Sequence, residues 1–186
     1  TGRPNYPSKL TDKTDFPEFY TTAFYDKDNK EKRAKAEPEV VNKWLSSQKD
    51  LFSEEAWSVM YRFPLNEENT EKFLSRIKSY ANLYGKAEVK DVIGKIASQK
   101  LDVAIESKDK KDLEAALAFV DKYMSEDKED TKAYYKLRYF EGTDNWLGYA
   151  KTAQTIIEKR GLKNDINGVN NYSWTIYENT TDQKVL

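Results

Sequence analysis

Cysteine and histidine are both absent from the 186 residues. That removes disulfides, thiolate nucleophiles, Cys-x-x-Cys redox chemistry, Cys/His zinc sites and every histidine-based triad. Carboxylates, lysines and tyrosines are the groups left for chemistry. No apolar run approaches the ~18 residues of a membrane span, and Thr1 to Leu10 lacks signal-peptide character. Charge of one sign is not in surplus either: 31 Lys+Arg face 32 Asp+Glu, for a net charge of -1. No global field therefore favours nucleic acid or an anionic membrane. Apolar residues are sparse, at 38% against 34% charged, with a mean hydropathy of -0.90. A chain of this length has room for one domain with a sizeable core or for one repeat array. The polarity fits a thin helical stack, with much surface per residue, better than a compact globule.

What is present is a repeat. Asn170 to Asp182 reads NNYSWTIYENTTD, and two fainter copies lie upstream, AYYKLRYFEGTD from Ala133 to Asp144 and QKLDVAIESKD from Gln99 to Asp109. In each, an apolar or aromatic run is followed by a glutamate, a short polar turn and an aspartate. The glutamates, Glu106, Glu141 and Glu178, stand 35 and 37 residues apart. This is the period of a helix-turn-helix repeat, in which one hairpin cannot bury its own face and stacks on the next.

Along the chain, Thr1 to Thr14 reads as an extended lead-in with Pro4 and Pro7. Asp15 is placed to cap a short helix with Pro17 in its first turn and Phe16, Phe19, Tyr20 and Phe24 on its apolar side. Asp26 to Glu37 is a solvated charged run. Its Asp26, Asp28 and Glu31 make a poor calcium loop, because Lys30 takes a ligand position and the sixth position holds no glycine. Pro38 opens a helix with Val41, Trp44 and Leu45. Ser53 caps another, with Phe52 packing on Trp57 as a hydrophobic staple, and Pro64 ends it. Spacings of three and four predict helices over Glu67 to Tyr84, closed by Gly85, and over Ala87 to Glu106. Asp109 caps the next, the acidic stretch from Ser125 to Asp130 is a turn, and Thr131 to Glu141 is an aromatic helix ended by Gly142. Asp144 caps a helix carrying Trp146, Tyr149, Ala153 and Ile156, ended by Gly161, and Val169 to Asn179 is the last helix.

No period-two alternation argues for a sheet, and loops of three to six residues fold neighbouring helices antiparallel. The expected fold is all-α: antiparallel helix hairpins forming a tetratricopeptide-like α-solenoid, with residues 1–36 as a lead-in and residues 37–186 as the helical-repeat domain. Trp174, Ile176 and Tyr177 of the last helix need a partner, since each large apolar side chain left uncovered forgoes roughly 1.5–3 kcal/mol. The expectation is that the natural polypeptide continues with a covering helix, or that another chain covers this face.

SEEAWSVMYRF (Ser53 to Phe63), YFEGTDNWLGYAKTA (Tyr139 to Ala153) and above all NNYSWTIYENTTD carry a family resemblance. From about Glu37 onward the chain resembles the tetratricopeptide-like helical region that follows the thioredoxin-fold domain in bacterial envelope thioredoxin-family proteins. The resemblance implies a module attached to a thiol–disulfide enzyme in an extracytoplasmic compartment. It carries over no catalytic residue, because the family's Cys-x-x-Cys has no counterpart here.

Thirteen tyrosines and four tryptophans could line a groove for peptide or glycan. The plainer reading makes most of them knobs between helices. Tyr135 and Tyr172 hold the same place in two repeats, six residues before Glu141 and Glu178, and Tyr139 lies one turn beyond Tyr135. On the inner wall of a superhelix these three would contact an extended protein or peptide partner. The pairs Glu54/Glu55 and Glu67/Glu68 suit a hydrolase poorly, since adjacent helical residues diverge and first-turn acids favour the helix dipole. Glu126, Asp127, Glu129 and Asp130 read the same way rather than as a cation site. Asn171 and Asn179 begin glycosylation sequons of the kind chance supplies. The leading function is a non-catalytic protein-interaction module of a larger thioredoxin-like protein, with no cofactor and no metal. The alternatives are an aromatic-groove glycan- or peptide-binding surface protein and a carboxylate hydrolase.

Overall fold

The structure is a computed structural model that describes residues 16–24, 36–124, 126–161, 166–182 and 185. Among these there are ten helices and no strand. They are α1 (Glu18–Phe24), α2 (Pro38–Ser47), α3 (Glu54–Arg62), α4 (Glu67–Leu74), α5 (Ile77–Tyr84), α6 (Lys86–Ser107), α7 (Lys110–Tyr123), α8 (Lys128–Gly142), α9 (Trp146–Arg160) and α10 (Ile166–Asn179). The all-α expectation holds. The lead-in, the Asp15 cap and the candidate calcium loop lie outside the described residues. Two compact units divide at Ile96/Ala97, within α6.

The first unit is organised by aromatic rings. Trp57, 1% exposed, stacks on Tyr84 with ring centroids 4.6 Å apart and on Tyr80 at 5.5 Å. Phe73 closes against Tyr80 at 5.2 Å. Such pairs add roughly 0.5–1.5 kcal/mol beyond the area they bury. The tyrosine hydroxyls are not orphaned: Tyr80 donates to the Leu51 carbonyl at 3.0 Å, and Tyr84 to the Phe52 carbonyl at 2.6 Å. Burial pushes the Tyr80 hydroxyl up to about 12. Both accepting carbonyls precede Ser53, whose side chain caps α3 by accepting from the Ala56 amide as expected. Phe52 packs on Tyr80 at 4.8 Å. On α1, Phe19 meets Trp44 and Phe63 edge-on at 5.9 and 5.5 Å.

The unit also contains a polar core that periodicity does not announce. Asn42 and Asn69 are 6% and 2% exposed, on α2 and α4. Asn42 donates through Nδ2 to the carbonyls of Pro38 (2.8 Å) and Pro64 (3.1 Å). Its Oδ1 accepts from the Asn66 amide (2.9 Å) and from Asn69 Nδ2 (3.0 Å). Every hydrogen-bonding capacity of the amide is thus used, as a buried polar network requires. Asn66 in turn caps α4 through the Asn69 amide.

Helix boundaries depart from expectation in four places. Glu67 to Tyr84 is two helices, broken at Ser75 and Arg76, where Arg76 lies at φ -126° and ψ 19°. The Ser75 hydroxyl bonds back to the Lys72 carbonyl at 2.9 Å, offering the backbone a competitor to the helical ladder. α8 and α10 each start three residues earlier than expected, at Lys128 and Ile166. The cap of α9 is Asn145 and not Asp144: Asn145 Oδ1 accepts from the Gly148 amide at 3.0 Å. Asp144 instead sits at φ 56° and closes a Schellman motif, with Asp144 N–H donating to the Glu141 carbonyl and Asn145 N–H to that of Phe140. Gly142 is therefore not the helix stop. A Cβ there would come within 2.6 Å of Ile105 Cγ2, so the glycine admits α6 against α8.

In the second unit α7 packs on α8, α8 on α9 and α9 on α10. Leu113, Ala116, Phe119 and Val120 of α7 are buried, as are Tyr135, Leu137 and Tyr139 of α8. Leu137 forms one cluster with Tyr149, Ala153 and Ile156 of α9, which Phe140, Trp146, Tyr172 and Ile176 surround.

Asn42→Ala is expected to lower unfolding stability by roughly 3 kcal/mol, since it strands the Asn66 amide and the Pro64 carbonyl and leaves Asn69 Nδ2 only the Asn42 backbone carbonyl. Urea denaturation checks this, and a loss below ~1 kcal/mol would show that the network does not brace α2 against α4.

Candidate functional site

Tyr135, Tyr139 and Tyr172 all lie in the second unit but are not brought together: the first two pack against α6 and the turn before α7, and Tyr172 packs against α9. Tyr135 is 4% exposed and its hydroxyl lies 3.5 Å from Ser98 Oγ on α6. Tyr139 is 5% exposed and donates to the Lys108 carbonyl at 3.0 Å, in the turn before the Asp109 cap of α7. Burial raises both hydroxyls; the Ser98 bond opposes it at Tyr135, and the Asp109 and Asp112 carboxylates add to it at Tyr139. Tyr172 is half-buried, edge-on to Tyr149 at 6.4 Å. Tyr149 is raised too, first by burial, with a hydrogen bond to Thr175 opposing.

The carboxylate candidates are dispersed. Glu54 and Glu55 begin α3, and Glu67 and Glu68 begin α4, where Glu68 pairs with Lys72 at 2.5 Å. Among the described residues no group of three or more acidic side chains could hold a metal ion. The acids near the start of α8 are engaged by cations instead. Lys132 reaches Asp121 of α7 at 2.9 Å and Glu129 at 2.8 Å, while Asp130 meets Lys159 and Arg160 of α9, each at 3.5 Å. The Lys132 hydrogen bond holds both Asp121 and Glu129 below their ordinary carboxylate values. A general acid needs the reverse, a pKa raised toward neutrality. These ion pairs rim a groove of about 430 Å³ between α7, α8 and α9, floored by Leu117, Ala133 and Ile156. Asn171 lies within α10, and Asn179, its last residue, donates to the Thr175 carbonyl at 2.9 Å.

The surface that differs most from the rest is on α10. This helix buries no residue fully and carries a single charge, Glu178. Ile166, Asn170, Trp174 and Tyr177 follow one another at spacings of four, four and three and so share a face. Ile166 and Trp174 are each 61% exposed and Tyr177 is 69% exposed. The Trp174 and Tyr177 rings lie against each other at 5.8 Å, and with Asn170, Asn171 and Ser173 they line a shallow concavity. Val40, Leu83 and Val103 on α2, α5 and α6 are also exposed, and exposed apolar side chains as such are ordinary for a folded surface. Two adjoining aromatics flanked by neutral amides on a chain that is 34% charged are not.

The offset of 37 residues that pairs Glu141 with Glu178 also explains which tyrosines are covered. Tyr135 and Tyr139 turn back toward α6 and α7, and their equivalents Tyr172 and Ile176 turn back toward α9. Comparison with protein-family models, with curated proteins and with solved structures finds no match.

Tyr135→Ala is expected to cost about 3–5 kcal/mol, the range for an aromatic truncated in a core, whereas Tyr177→Ala leaves stability within about 0.5 kcal/mol. Parallel thermal and urea melts of the two variants check the contrast; equal losses would contradict the assignment of inner and outer rings.

Proposed function

We propose that the chain is a non-catalytic protein-interaction module of the α-solenoid kind, belonging to a larger thioredoxin-like thiol–disulfide protein of an extracytoplasmic bacterial compartment. The observation that carries the interaction reading is the neutral aromatic face of α10. Exposed, contiguous aromatic surface with little charge is characteristic of the centre of protein interfaces, where aromatic side chains are enriched and Lys and Glu depleted. The run in which α7 packs on α8, α8 on α9 and α9 on α10, joined by short connections at a repeat near 35 residues, supports the solenoid reading. The attachment to a thioredoxin-like enzyme rests on the resemblance of SEEAWSVMYRF, YFEGTDNWLGYAKTA and NNYSWTIYENTTD. In such a protein the thiol chemistry belongs to the enzyme domain, and this chain presents substrate or partner protein to it.

A glycan reading is favoured by one feature only, the amides of Asn170 and Asn171 beside the Trp174 ring. The face is open, and among the described residues that line it none is charged or fully buried.

The reading predicts that the open reading frame holding this chain also encodes a Cys-x-x-Cys thioredoxin domain. In the whole protein, removal of the helical module should leave reduction of a small disulfide intact and weaken reduction of a protein substrate. Thiol–disulfide turnover by residues 1–186 alone, or a reading frame with no such domain, would contradict it.

A further inference from the structure

The groove of about 430 Å³ between α7, α8 and α9 lies wholly within the second unit, and the charges that line it are not all spent on one another. Five cations and three carboxylates face it, a surplus of two positive charges on a chain whose net charge is -1. At one end every acid is engaged. Asp121 and Glu129 are held by Lys132, and Asp130 by Lys159 and Arg160. At the other end stand Lys136 of α8 and Lys151 of α9, and neither has an ion-pair or hydrogen-bond partner among the described residues. The Asp130–Lys159 pair and the short turn over residues 143–145 set an antiparallel register between the two helices. Lys136 thereby comes level with the helical turn that holds Lys151 and Thr152.

The rest of the lining narrows the chemistry. Thr152 donates its hydroxyl to the Gly148 carbonyl and Thr155 donates to the Lys151 carbonyl, each at 2.9 Å. With the hydrogens committed to the helix, both oxygens have only lone pairs left, which suit an N–H donor and not a bare anion. Leu117, Ala133 and Ile156 give the groove an aliphatic floor. Unpaired ammonium groups, hydroxyl acceptors and aliphatic surface in one groove complement three features at once: carboxylates, amide N–H groups and an aliphatic side chain. An acidic peptide carries all three, whereas a small anion carries only the first.

We propose that this groove binds an extended acidic segment of a partner protein. Its carboxylates meet Lys136 and Lys151, its backbone N–H groups meet Thr152 and Thr155, and one leucine-like side chain lies on the floor. Lys132 is already shared between two acids, so the end that holds Lys136 and Lys151 is the anchoring end. The inference goes beyond the interaction reading of α10: it concerns a second surface with its own ligand chemistry, and holds whether or not a thioredoxin-like domain is attached.

The probe is a fluorescein-labelled hexapeptide of alternating glutamate and leucine, titrated with the full 186-residue chain and read by fluorescence anisotropy. Binding should be saturable and should weaken as salt is raised, because the anchoring charges are exposed. Lys136→Gln/Lys151→Gln should weaken it about tenfold, and Thr152→Val/Thr155→Val about threefold. Lys43→Gln/Lys78→Gln removes the same charge from the first unit and should leave affinity within about a factor of two. Thermal melts establish that each variant is folded. Peptides with glutamine for glutamate, or with serine for leucine, should each bind several-fold more weakly. In protein labelled at the isoleucine methyls, the Ile156 signal, identified through Ile156→Val, should shift on binding while that of Ile77 stays in place. No saturable binding at ~1 mM protein, an equal loss in both lysine double variants, or affinity that survives glutamine in the peptide overturns the proposal. Displacement of the peptide by an equal concentration of succinate would assign the groove to a small dicarboxylate and overturn the peptide occupant.

Discussion

Buried tyrosine hydroxyls donated to the carbonyls of inter-helix turns are the constraint on which both compact units depend. Tyr80 and Tyr84 bond the carbonyls of Leu51 and Phe52, just before the Ser53 cap of α3, and Tyr139 bonds the carbonyl of Lys108, just before the Asp109 cap of α7. Each ring fills space between helices while its oxygen fixes the place where a neighbouring helix begins. A chain with only 38% apolar residues has few other ways to build a specific core. Aliphatic side chains would fill the same volume without choosing a register, whereas a tyrosine out of register buries an unpaired hydroxyl at a cost of roughly 1–3 kcal/mol.

The same economy shapes the surface. Tyr135 and Tyr139, which face back toward α6 and the turn before α7, are buried with their hydroxyls close to polar partners, and Leu137 and Phe140 on the other side of α8 are covered by α9. Trp174 and Tyr177 are exposed, whereas Leu137 and Phe140, the residues 37 positions before them, pack in the cluster with α9. The charged rim around Lys132 and Asp130 has a different place in this scheme. Its acids and cations neutralise one another across α7, α8 and α9 and brace those helices, leaving the uncharged face of α10 as the distinctive surface.

Much of this was legible in the sequence. The helices followed from three-and-four spacing, and Ser53 and Asp109 announced their caps as short polar side chains before apolar runs. Of Trp174, Ile176 and Tyr177, which were expected to lack cover, Trp174 and Tyr177 are exposed while Ile176 packs against α9. Tyr135 and Tyr139 were harder to place, because a repeat position states equivalence and not direction: whether a ring faces a groove or a neighbouring helix depends on where α6 lies, and Ser98 and Lys108 are 37 and 31 residues away. The break at Ser75 depended on a hydroxyl choosing a carbonyl over solvent, a local competition that hydrophobic spacing does not register. Asn42 and Asn69 were invisible to periodicity because they are polar residues in buried positions. The available signal was the pairing of Asn42 beside Val41 with the closely spaced Asn66 and Asn69.

The most direct measurement of the central constraint is amide hydrogen exchange, read by mass spectrometry, on the Tyr80→Phe/Tyr84→Phe double variant and on Tyr139→Phe. Phenylalanine keeps the ring packing and removes only the bond to the turn. The expected result is faster exchange confined to residues 50–56 in the first variant and to residues 107–113 in the second. Exchange unchanged at both turns, or accelerated uniformly along the chain, would contradict the role given to the hydroxyls.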